Sequence, residues 1–371
     1  MSREGKNQKK TKGTNLSRKP LRLQKNQQPI IGIDIGSSSI KIVQMKKNNR
    51  IHKLGYEVIP EGLVNQGRIE ASQPLADIIK KTISKYKITG TECSLCLSGS
   101  ELIVRELKLP EMNENQIMDN IKHEITSFLP LNHEEYCIDY KVLDYIEAEN
   151  NAPGKLSVMV AAVPDNLVQS YINTLKKAKL KVVYVDIIPN IAGKIAKWIM
   201  NSNNLDASRS NLCIVDFGAR NTNIIMLKNG NYFIHKTVNS GGDYLTAIIA
   251  EKSNMDLIEA EEYKIKNKFF VNTFQNELSL HVRNFFDFLI TDIERTIEFY
   301  KNRNNQKSVE QIYIMGGGSL LHGLPEYMEE HLSVKVYRIA DLLGQFKYNS
   351  KSGESIAFFS NAIGSTMREE R

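Results

Sequence analysis

The chain has 371 residues, of which 41% are apolar, which is enough for two to three domains with sizeable cores. No apolar run approaches the roughly 18 residues that would cross a bilayer, and the basic start lacks the apolar stretch of a secretory signal. The net charge of +7 is concentrated in residues 1–29, which carry nine Lys and Arg and one acid, whereas 40 basic and 41 acidic residues follow.

Residues 1–29 are rich in Lys, Asn, Gln, Ser and Thr, and this composition predicts a disordered tail. A basic arm of this kind either is attracted to anionic membranes or nucleic acid, or only aids solubility. It has no aromatic residue that would stack on bases, which argues against specific recognition of nucleic acid.

The first folded element reads as a β-hairpin within 30–45, with an Asp-x-Gly motif at its tip. Gly36 allows a sharp turn and a close approach to a ligand. Backbone N–H groups, with the hydroxyls of Ser37 and Ser38, can cradle phosphate oxygens, and Lys41 adds a positive charge. Asp34 ends the strand and suits a hydrated Mg²⁺, which takes only one or two carboxylates.

Strands and helices then alternate up to a polar linker at 201–210. The predicted strands are 51–59, 92–97, 102–108, 136–145, 156–163 and 181–186, and the predicted helices are 75–86, one between Pro110 and Pro130 capped by Asn113 and Gln116, one from Asp165, and 189–200. Cys93 and Cys96 are spaced C-x-x-C, but positions three apart in a strand face opposite sides, which argues against a metal site.

The hairpin motif returns 182 residues later, with Asp216 and Gly218 in the same strand context. Two such hairpins that face each other would grip a triphosphate from both sides. A helix then begins at Gly242, and a helix start is an anion site.

A helical insertion at about 255–304 leads to a buried strand at 311–315. Gly316, Gly317, Gly318 and Ser319 form a turn after that strand, and a helix follows. Glycine has no Cβ, so this backbone would let a flat ring such as adenine lie against it. A strand at 334–338 and a helix at about 355–367 close the chain.

Paired Asp-x-Gly hairpins with a late Gly-rich turn resemble the superfamily of actin, sugar kinases and heat-shock chaperones. Within it, the chain resembles the PilM family of type IV pilus assembly proteins over nearly all of residues 30–371. The stretches that carry the likeness are 109–112, 124–130, 161–164, 260–264, 314–324 and 361–364. The region 109–130 is the most specific of them, and the others are shared with the division protein FtsA.

The resemblance implies an α/β, actin-like (ribonuclease-H-like) fold of two domains, with ATP and Mg²⁺ in a central cleft. Asp34 and Asp216 would be the magnesium-side aspartates. The nucleotide-binding residues would be Gly36, Ser37, Ser38 and Lys41 in the first phosphate loop, Gly218 and Gly242 in the second half, Glu261 and Lys264 at the ribose or adenine, and Gly316, Gly317, Gly318 and Ser319 at the adenosine.

The same resemblance implies the domain organisation and the partners. Domain I would span 30–205, with a small FtsA/PilM-type subdomain inserted at about 101–186, and domain II would span 206–371, with a helical insertion at about 244–306. A groove would receive the cytoplasmic tail of PilN, a membrane protein. The protein would therefore be cytoplasmic, held at the inner face of the membrane through this partner, and in contact with the pilus platform and motor.

The chain departs from the family pattern at the places that would activate water. Ala219 and Arg220 stand where actin-type loops carry a second glycine, often with an acid, and Asn190 stands where a Gln or Glu would orient the water. Phosphoryl transfer depends on such positioning. We therefore expect ATP binding with slow or no hydrolysis, in which Asp216 is the remaining base.

Three alternatives stay open at the level of sequence. A sugar or acid kinase would need an acceptor-site base in the first half, and no candidate stands out. A membrane-tethered filament protein like FtsA would end in an amphipathic helix, whereas this sequence ends in charged residues. A GspL-type secretion protein would share the fold and usually continues into a transmembrane segment.

Overall fold

The computed structural model describes residues 31–46, 50–129, 135–147, 153–266, 277–342 and 355–368. The predicted basic tail and part of the predicted helical insertion lie outside these ranges. No helix within them is long and apolar enough to span a membrane.

Strands and helices alternate through the first half of the chain, as the sequence predicts. They are β1 (Ile31–Ile35), β2 (Ser39–Met45), β3 (Ile51–Val58), β4 (Val64–Asn65), β5 (Arg68–Ile69), α1 (Ser72–Lys85), β6 (Glu92–Leu97), β7 (Ile103–Pro110), α2 (Glu114–Ile125), β8 (Tyr136–Ile146), β9 (Lys155–Pro164), α3 (Asp165–Lys177), β10 (Lys181–Ile187) and α4 (Ile188–Ser202). The short β4–β5 hairpin is the element that the sequence patterns did not indicate.

The second half repeats the hairpin and adds the helical insertion. Its elements are β11 (Leu212–Phe217), β12 (Thr222–Lys228), β13 (Asn231–Val238), α5 (Gly242–Ser253), α6 (Leu257–Lys266), α7 (Glu277–Arg303), β14 (Gln311–Met315), α8 (Leu324–Leu332), β15 (Lys335–Arg338), α9 (Ile339–Leu342) and α10 (Ser360–Thr366). The turn after β14 is a 3-10 segment, Gly317–Leu320, so α8 begins later than the apolar periodicity suggested.

Two five-stranded sheets have the same topology. Their strand orders are β3-β2-β1-β6-β10 and β13-β12-β11-β14-β15. In each sheet three antiparallel strands form a meander, and two further strands join in parallel. The carboxyl ends of the parallel strands share one edge of each sheet, so the residues that end β1 and β11 occupy equivalent places.

A separate three-stranded sheet, in the order β7-β9-β8, lies between β6 and α3 in the sequence. Helix α2 covers it, and together they bury a core of their own, whose members are Leu109, Ile117, Ile121, Ile125, Val158 and Val160. The predicted capping box of α2 is confirmed, with Asn113 and Gln116 exchanging side-chain and backbone hydrogen bonds. The range 101–186 also contains β10, which pairs with β6 in the first large sheet.

The end of the chain returns to the first sheet although it follows the second. A Cβ on Gly32 of β1 would lie 2.0 Å from the carbonyl oxygen of Ala362, so glycine allows α10 to pack directly on this strand. Ser94 of β6 donates to the Ser365 carbonyl oxygen. The predicted helix over 355–367 is therefore a 3-10 turn, Ile356–Phe359, followed by α10, and this segment connects both sheets.

Candidate functional site

The two Asp-x-Gly hairpins end in the same turn. The Gly36 amide donates to the Ser39 carbonyl at 3.0 Å, and the Gly218 amide donates to the Asn221 carbonyl at 3.0 Å. Asp34 and Asp216 precede these turns at the ends of β1 and β11, and they are only 6% and 4% exposed. The repeat seen in the sequence is therefore a repeat of local structure that places one buried carboxylate at each turn.

The carboxylates of Asp34 and Asp216 lie close enough to affect each other. Burial is the main cause that raises the pKa of Asp216, and the negative charge of Asp34 adds to it. Lys41 lies beside Asp34, with its Nζ 3.7 Å from Oδ2, and also acts on Asp216 in the opposite direction. The structure thus brings together three of the residues that the sequence singled out.

Two amide side chains hold Asp216. Asn361 of α10 donates through Nδ2 to Oδ2 at 3.1 Å, and Asn223 of β12 also forms a hydrogen bond to the carboxylate. The sequence analysis missed both residues. Asn223 lies opposite Asp216 in the β11–β12 register, so the hairpin pattern could have identified it. The contact of Asn361 depends on the path of the chain end, which no local pattern shows.

The Gly-rich turn after β14 packs against the end of β11. Gly316 has a φ of +80°, and a Cβ there would lie 2.7 Å from Asp216 Oδ1. A Cβ on Gly318 would lie 1.2 Å from Phe217 Cδ1. The Phe217 ring therefore fills the space on the Cβ side of Gly318. Ser319 closes the turn by donating to the Gly316 carbonyl at 2.7 Å.

Gly242, Glu261 and Lys264 lie together beside the second hairpin. The Gly242 amide donates to the Gly218 carbonyl at 3.0 Å. Lys264 Nζ donates to the Gly242 carbonyl at 3.1 Å and to Thr246 Oγ1 at 2.8 Å, and it forms an ion pair with Glu261. The helix start that the sequence predicted as an anion site is therefore tied to both the hairpin and α6. Ser37 and Ser38 of the first loop are partly exposed.

Arg220 links the second hairpin to the first half of the chain. Its Nη1 donates to Asn65 Oδ1 at 2.9 Å, its Nη2 lies 3.4 Å from Glu61 Oε1, and its Nε lies 3.6 Å from Asp243 Oδ2. The sequence marked Arg220 only as a departure from the family pattern. One of its partners, Asn65, lies in the unpredicted β4–β5 hairpin, and no local sequence pattern indicates that contact.

A second buried pair lies one strand away from Asp34. Asp34 and Asp186 are both in register with Cys96, on either side of β6. The Asp186 carboxylate accepts from Asn190 Nδ2 at 2.9 Å and from its neighbouring backbone amide, and it forms an ion pair with Lys194. Two neutral donors and a cation occupy Asp186, and Asn190 is bound to it, so neither side chain is free to activate water.

A cleft of about 300 Å³ opens between the start of β7 and the end of β13. Its polar lining includes Ser100, Arg105, His235 and Thr237. His235 Nε2 lies 3.1 Å from Asn223 Oδ1, so this cleft adjoins the side chains that hold Asp216 without including either aspartate. Burial lowers the pKa of His235 to about 4, and the ring is therefore neutral at physiological pH.

The residues around the two turns fit a hydrated magnesium ion. Two buried carboxylates lie within range of each other's charge, which matches the one or two that Mg²⁺ takes while it keeps its waters. Within the described residues there is no cluster of three or more His, Cys, Asp or Glu that would enclose a metal. One further oxygen, Asn361 Oδ1, is buried near Asp216 and has no hydrogen-bond partner.

Solved structures with the same fold support an actin-like architecture. A chain of a PilM–PilN type IV pilus biogenesis complex superposes with a TM-score of 0.77 at 23% identity, covering 91% of this chain and 97% of that one. The ethanolamine utilization protein EutJ from Carboxydothermus hydrogenoformans has a TM-score of 0.52 at 13% identity, covering 93% and 91%. MreB 5 of Spiroplasma citri, bound to AMPPNP, has a TM-score of 0.50 at 12% identity, covering 91% and 95%.

The predicted α/β, actin-like fold is therefore confirmed. A family model described as type IV pilus assembly protein PilM matches residues 32–368, which is nearly the whole chain. This protein belongs to the PilM family of type IV pilus assembly proteins.

Proposed function

We propose that this protein is a nucleotide-bound adaptor of the type IV pilus assembly platform. The observation that carries the proposal is the pair of matching turns that brings Asp34 and Asp216 together beside Lys41. A polyphosphate between these turns would meet backbone amides from both halves of the molecule, and the two carboxylates would hold its metal ion.

In this proposal each predicted site residue has a role toward Mg-ATP. Asp34 and Asp216 hold the magnesium, which neutralises phosphate charge when bound. The remaining roles are phosphate binding by Gly36, Ser37, Ser38, Lys41 and Gly218, and nucleoside binding by Gly242, Glu261, Lys264, Gly316, Gly317, Gly318 and Ser319. MreB 5 of Spiroplasma citri, which has the same fold, is bound to AMPPNP, and this supports nucleotide binding in the proposal.

We propose that hydrolysis is slow or absent. Asp186 is neutralised by Lys194, and Asn190 donates to Asp186, so the region expected to position water offers no free carboxylate. Asp216 remains as the base. Burial raises its pKa, which suits a base, but two amide side chains already donate to its carboxylate and weaken it in that role. A turnover above about one per second, in the ordinary range for enzymes, would contradict this proposal.

The proposed partner is the cytoplasmic tail of a PilN-like membrane protein, and the PilM–PilN complex among the similar structures supports it. Two edge strands, β8 and β10, are available for an extended peptide, which commonly binds by adding to a sheet edge. Strand β8 contacts the helix that follows β10, because Lys141 of β8 donates to Asn190 of α4 at 3.1 Å. Large apolar side chains exposed on these strands are Val142, Tyr145, Ile146 and Val185.

The domain boundaries and the location follow as parts of the same proposal. Residues 1–29 would be a tail, 30–205 domain I with its inserted subdomain, and 206–371 domain II with its helical insertion. The tail of a membrane protein would hold the molecule at the cytoplasmic face of the inner membrane, where it would contact platform and motor proteins. No specific nucleic-acid partner is proposed.

Calorimetric titration of Mg-ATP into protein freed of nucleotide tests the proposed site. We expect one saturable site, and we expect Asp34→Ala to weaken it by at least about tenfold, because a carboxylate toward the metal is lost. Asp77→Ala, on the exposed face of α1, is the matched control and should bind like the wild type. Absence of binding by folded wild-type protein would refute nucleotide dependence.

Fluorescence anisotropy with a labelled PilN tail peptide from the same organism tests the partner. Val185→Asp places a charge on the exposed edge of β10 and should abolish binding if the tail lies along that edge. Val58→Asp is the control, since Val58 is 64% exposed on β3 at the opposite edge of the same sheet. Equal loss in both variants, or in neither, would contradict the proposed groove.

A further inference from the structure

Asn361 stands at the start of α10, where the end of the chain passes between the two large sheets. Its Nδ2 donates to Asp216 Oδ2 at 3.1 Å. An ionised carboxylate only accepts hydrogen bonds, so this contact determines which end of the amide faces Asp216. The other end, Oδ1, therefore points away from that carboxylate.

Asn361 Oδ1 is buried and has no hydrogen-bond partner. An unpaired buried acceptor costs free energy, and such groups in native proteins call for a water, an ion or a functional role. Two other buried atoms share this state within the described residues, Arg283 Nε and Arg368 Nε. Those two atoms are hydrogen-bond donors, whereas Asn361 Oδ1 is an acceptor, and its residue contacts Asp216.

The surroundings of Asn361 are those of a cation rather than of an anion. Asp216 accepts from the Asn361 amide, and Asp34 acts on Asp216 through its charge, so two carboxylates and one cation, Lys41, lie at this place. Magnesium keeps most of its waters in protein sites, and each of those waters is a strong hydrogen-bond donor. A water on the ion is thus the kind of donor that Oδ1 lacks.

We propose that Asn361 is a positioning residue of the magnesium site: Nδ2 orients Asp216, and Oδ1 accepts a hydrogen bond from a water on the ion. This inference rests on the proposed binding of Mg-ATP. It adds an amide oxygen to the carboxylates of the two aspartates, and that oxygen belongs to α10.

The position of α10 gives this role a structural consequence. The helix is held to the first sheet by Ser94, which donates to the Ser365 carbonyl, and by Lys194, which donates to the Met367 carbonyl at 2.9 Å. Asn361 reaches the second sheet from the same helix. An ion that engages Asn361 would therefore join both sheets and the chain end in one set of contacts.

The test measures how much magnesium strengthens ATP binding, by calorimetry in excess MgCl₂ and in EDTA. The magnesium ratio is the dissociation constant in EDTA divided by that in MgCl₂. We expect this ratio to fall about tenfold in Asn361→Leu, because losing a group that orients metal ligands typically costs ten- to a hundredfold in metal affinity. Affinity in EDTA should stay near that of the wild type. Ser360→Ala is the matched control, because the Ser360 hydroxyl donates only to the Ala357 carbonyl within the same segment.

An unchanged magnesium ratio in Asn361→Leu would overturn the inference while leaving the proposed function intact. A wild-type protein that binds ATP equally with and without magnesium would refute the metal site itself. If Asn361→Leu does not fold, Asn361→Asp replaces it, since a third carboxylate should make binding more dependent on magnesium than in the wild type. A ratio equal to or below that of the wild type in this variant would also overturn the inference.

Discussion

The hairpins β1–β2 and β11–β12 end in the same turn, but the aspartates beside these turns have different neighbours. Asp34 lies beside a cation, Lys41, whereas Asp216 is bonded by the neutral amides of Asn361 and Asn223. The Gly-rich turn after β14 also closes over Asp216. The first carboxylate thus forms an ion pair, whereas among the described residues the second has none and feels the charge of Lys41 only at a longer range.

This difference teaches that a repeated motif does not make two equivalent sites. The unpaired charge of Asp216 is a cost of burial that a bound cation would relieve. Arg220 adds to the asymmetry. It lies in the second turn, but its guanidinium forms an ion pair with Glu61 and a hydrogen bond with Asn65 in the first half of the chain. Four predictions break or sharpen the comparison, and they follow from the largest expected effect to the smallest.

Gly318→Ala should destabilise the second half most strongly. Its Cβ would lie 1.2 Å from Phe217 Cδ1, so the ring that packs at the end of β11 would have to move. Overpacking of this kind costs about 3 kcal/mol. Gly317→Ala is the adjacent control, where the nearest atoms, on the Phe358 ring, would be 3.7 Å away and the expected change is below about 1 kcal/mol. Denaturant unfolding of both variants makes the measurement, and equal midpoints would contradict the packing argument.

His235→Gln should make the protein less sensitive to acid. Burial lowers the pKa of His235 to about 4. The unfolded chain, with an ordinary pKa near 6.5, therefore binds a proton that the folded state does not bind as pH falls through this window. Stability is present above pH 6.5 and declines toward pH 4, by about 2 kcal/mol between pH 7 and pH 5.

The slope of unfolding midpoint against pH checks this prediction. His123→Gln is the control from the first half, because His123 is exposed on α2. The two substitutions should separate clearly, with only the first flattening the curve. A wild-type slope in His235→Gln would show that other groups account for the loss in acid.

Asp216→Asn should stabilise the nucleotide-free protein at neutral pH, whereas Asp34→Asn should destabilise it. Burial raises the pKa of Asp216, so its ionised form disfavours the folded state above that pKa, and the neutral amide removes this penalty. Asp34→Asn leaves Lys41 without its carboxylate. Thermal unfolding without magnesium should shift in opposite directions, and parallel shifts would refute the asymmetry between the two aspartates.

Arg220→Ala should have the smallest effect on stability, about 0.5 kcal/mol, because Arg220 and its partners are partly exposed. Its effect should instead be local. We expect faster hydrogen exchange over residues 61–69, which lose their link to the second hairpin. Arg209→Ala, which removes an exposed pair with Asp206, should leave that exchange unchanged.

Local patterns in the sequence predict much of the fold. Short apolar runs marked the strands of both Asp-x-Gly hairpins, and the capping pair of Asn113 and Gln116 marked the start of α2. The residues that end β1 and β11 were identified as a repeated Asp-x-Gly motif. These features depend on a few neighbouring residues, so one chain without its tertiary context is enough to read them.

The patterns failed where a contact joins distant parts of the chain. The β4–β5 hairpin has only two residues in each strand, too few for a periodic signal. Asp186 was passed over, although it ends a parallel strand like Asp34, because its partner Lys194 becomes visible only once α4 is placed. The roles given to the other cleft residues stay predictions.

The sequence by itself determined the two hairpins, the aspartates at their tips and the Gly-rich turn, because turn geometry depends on glycine and on strand ends. Only the tertiary structure decided what surrounds each aspartate. Asn361 lies 145 residues from Asp216, and α10 reaches it by crossing between the sheets. Burial and pairing of charge are properties of the assembled fold, so the difference between Asp34 and Asp216 appears only there.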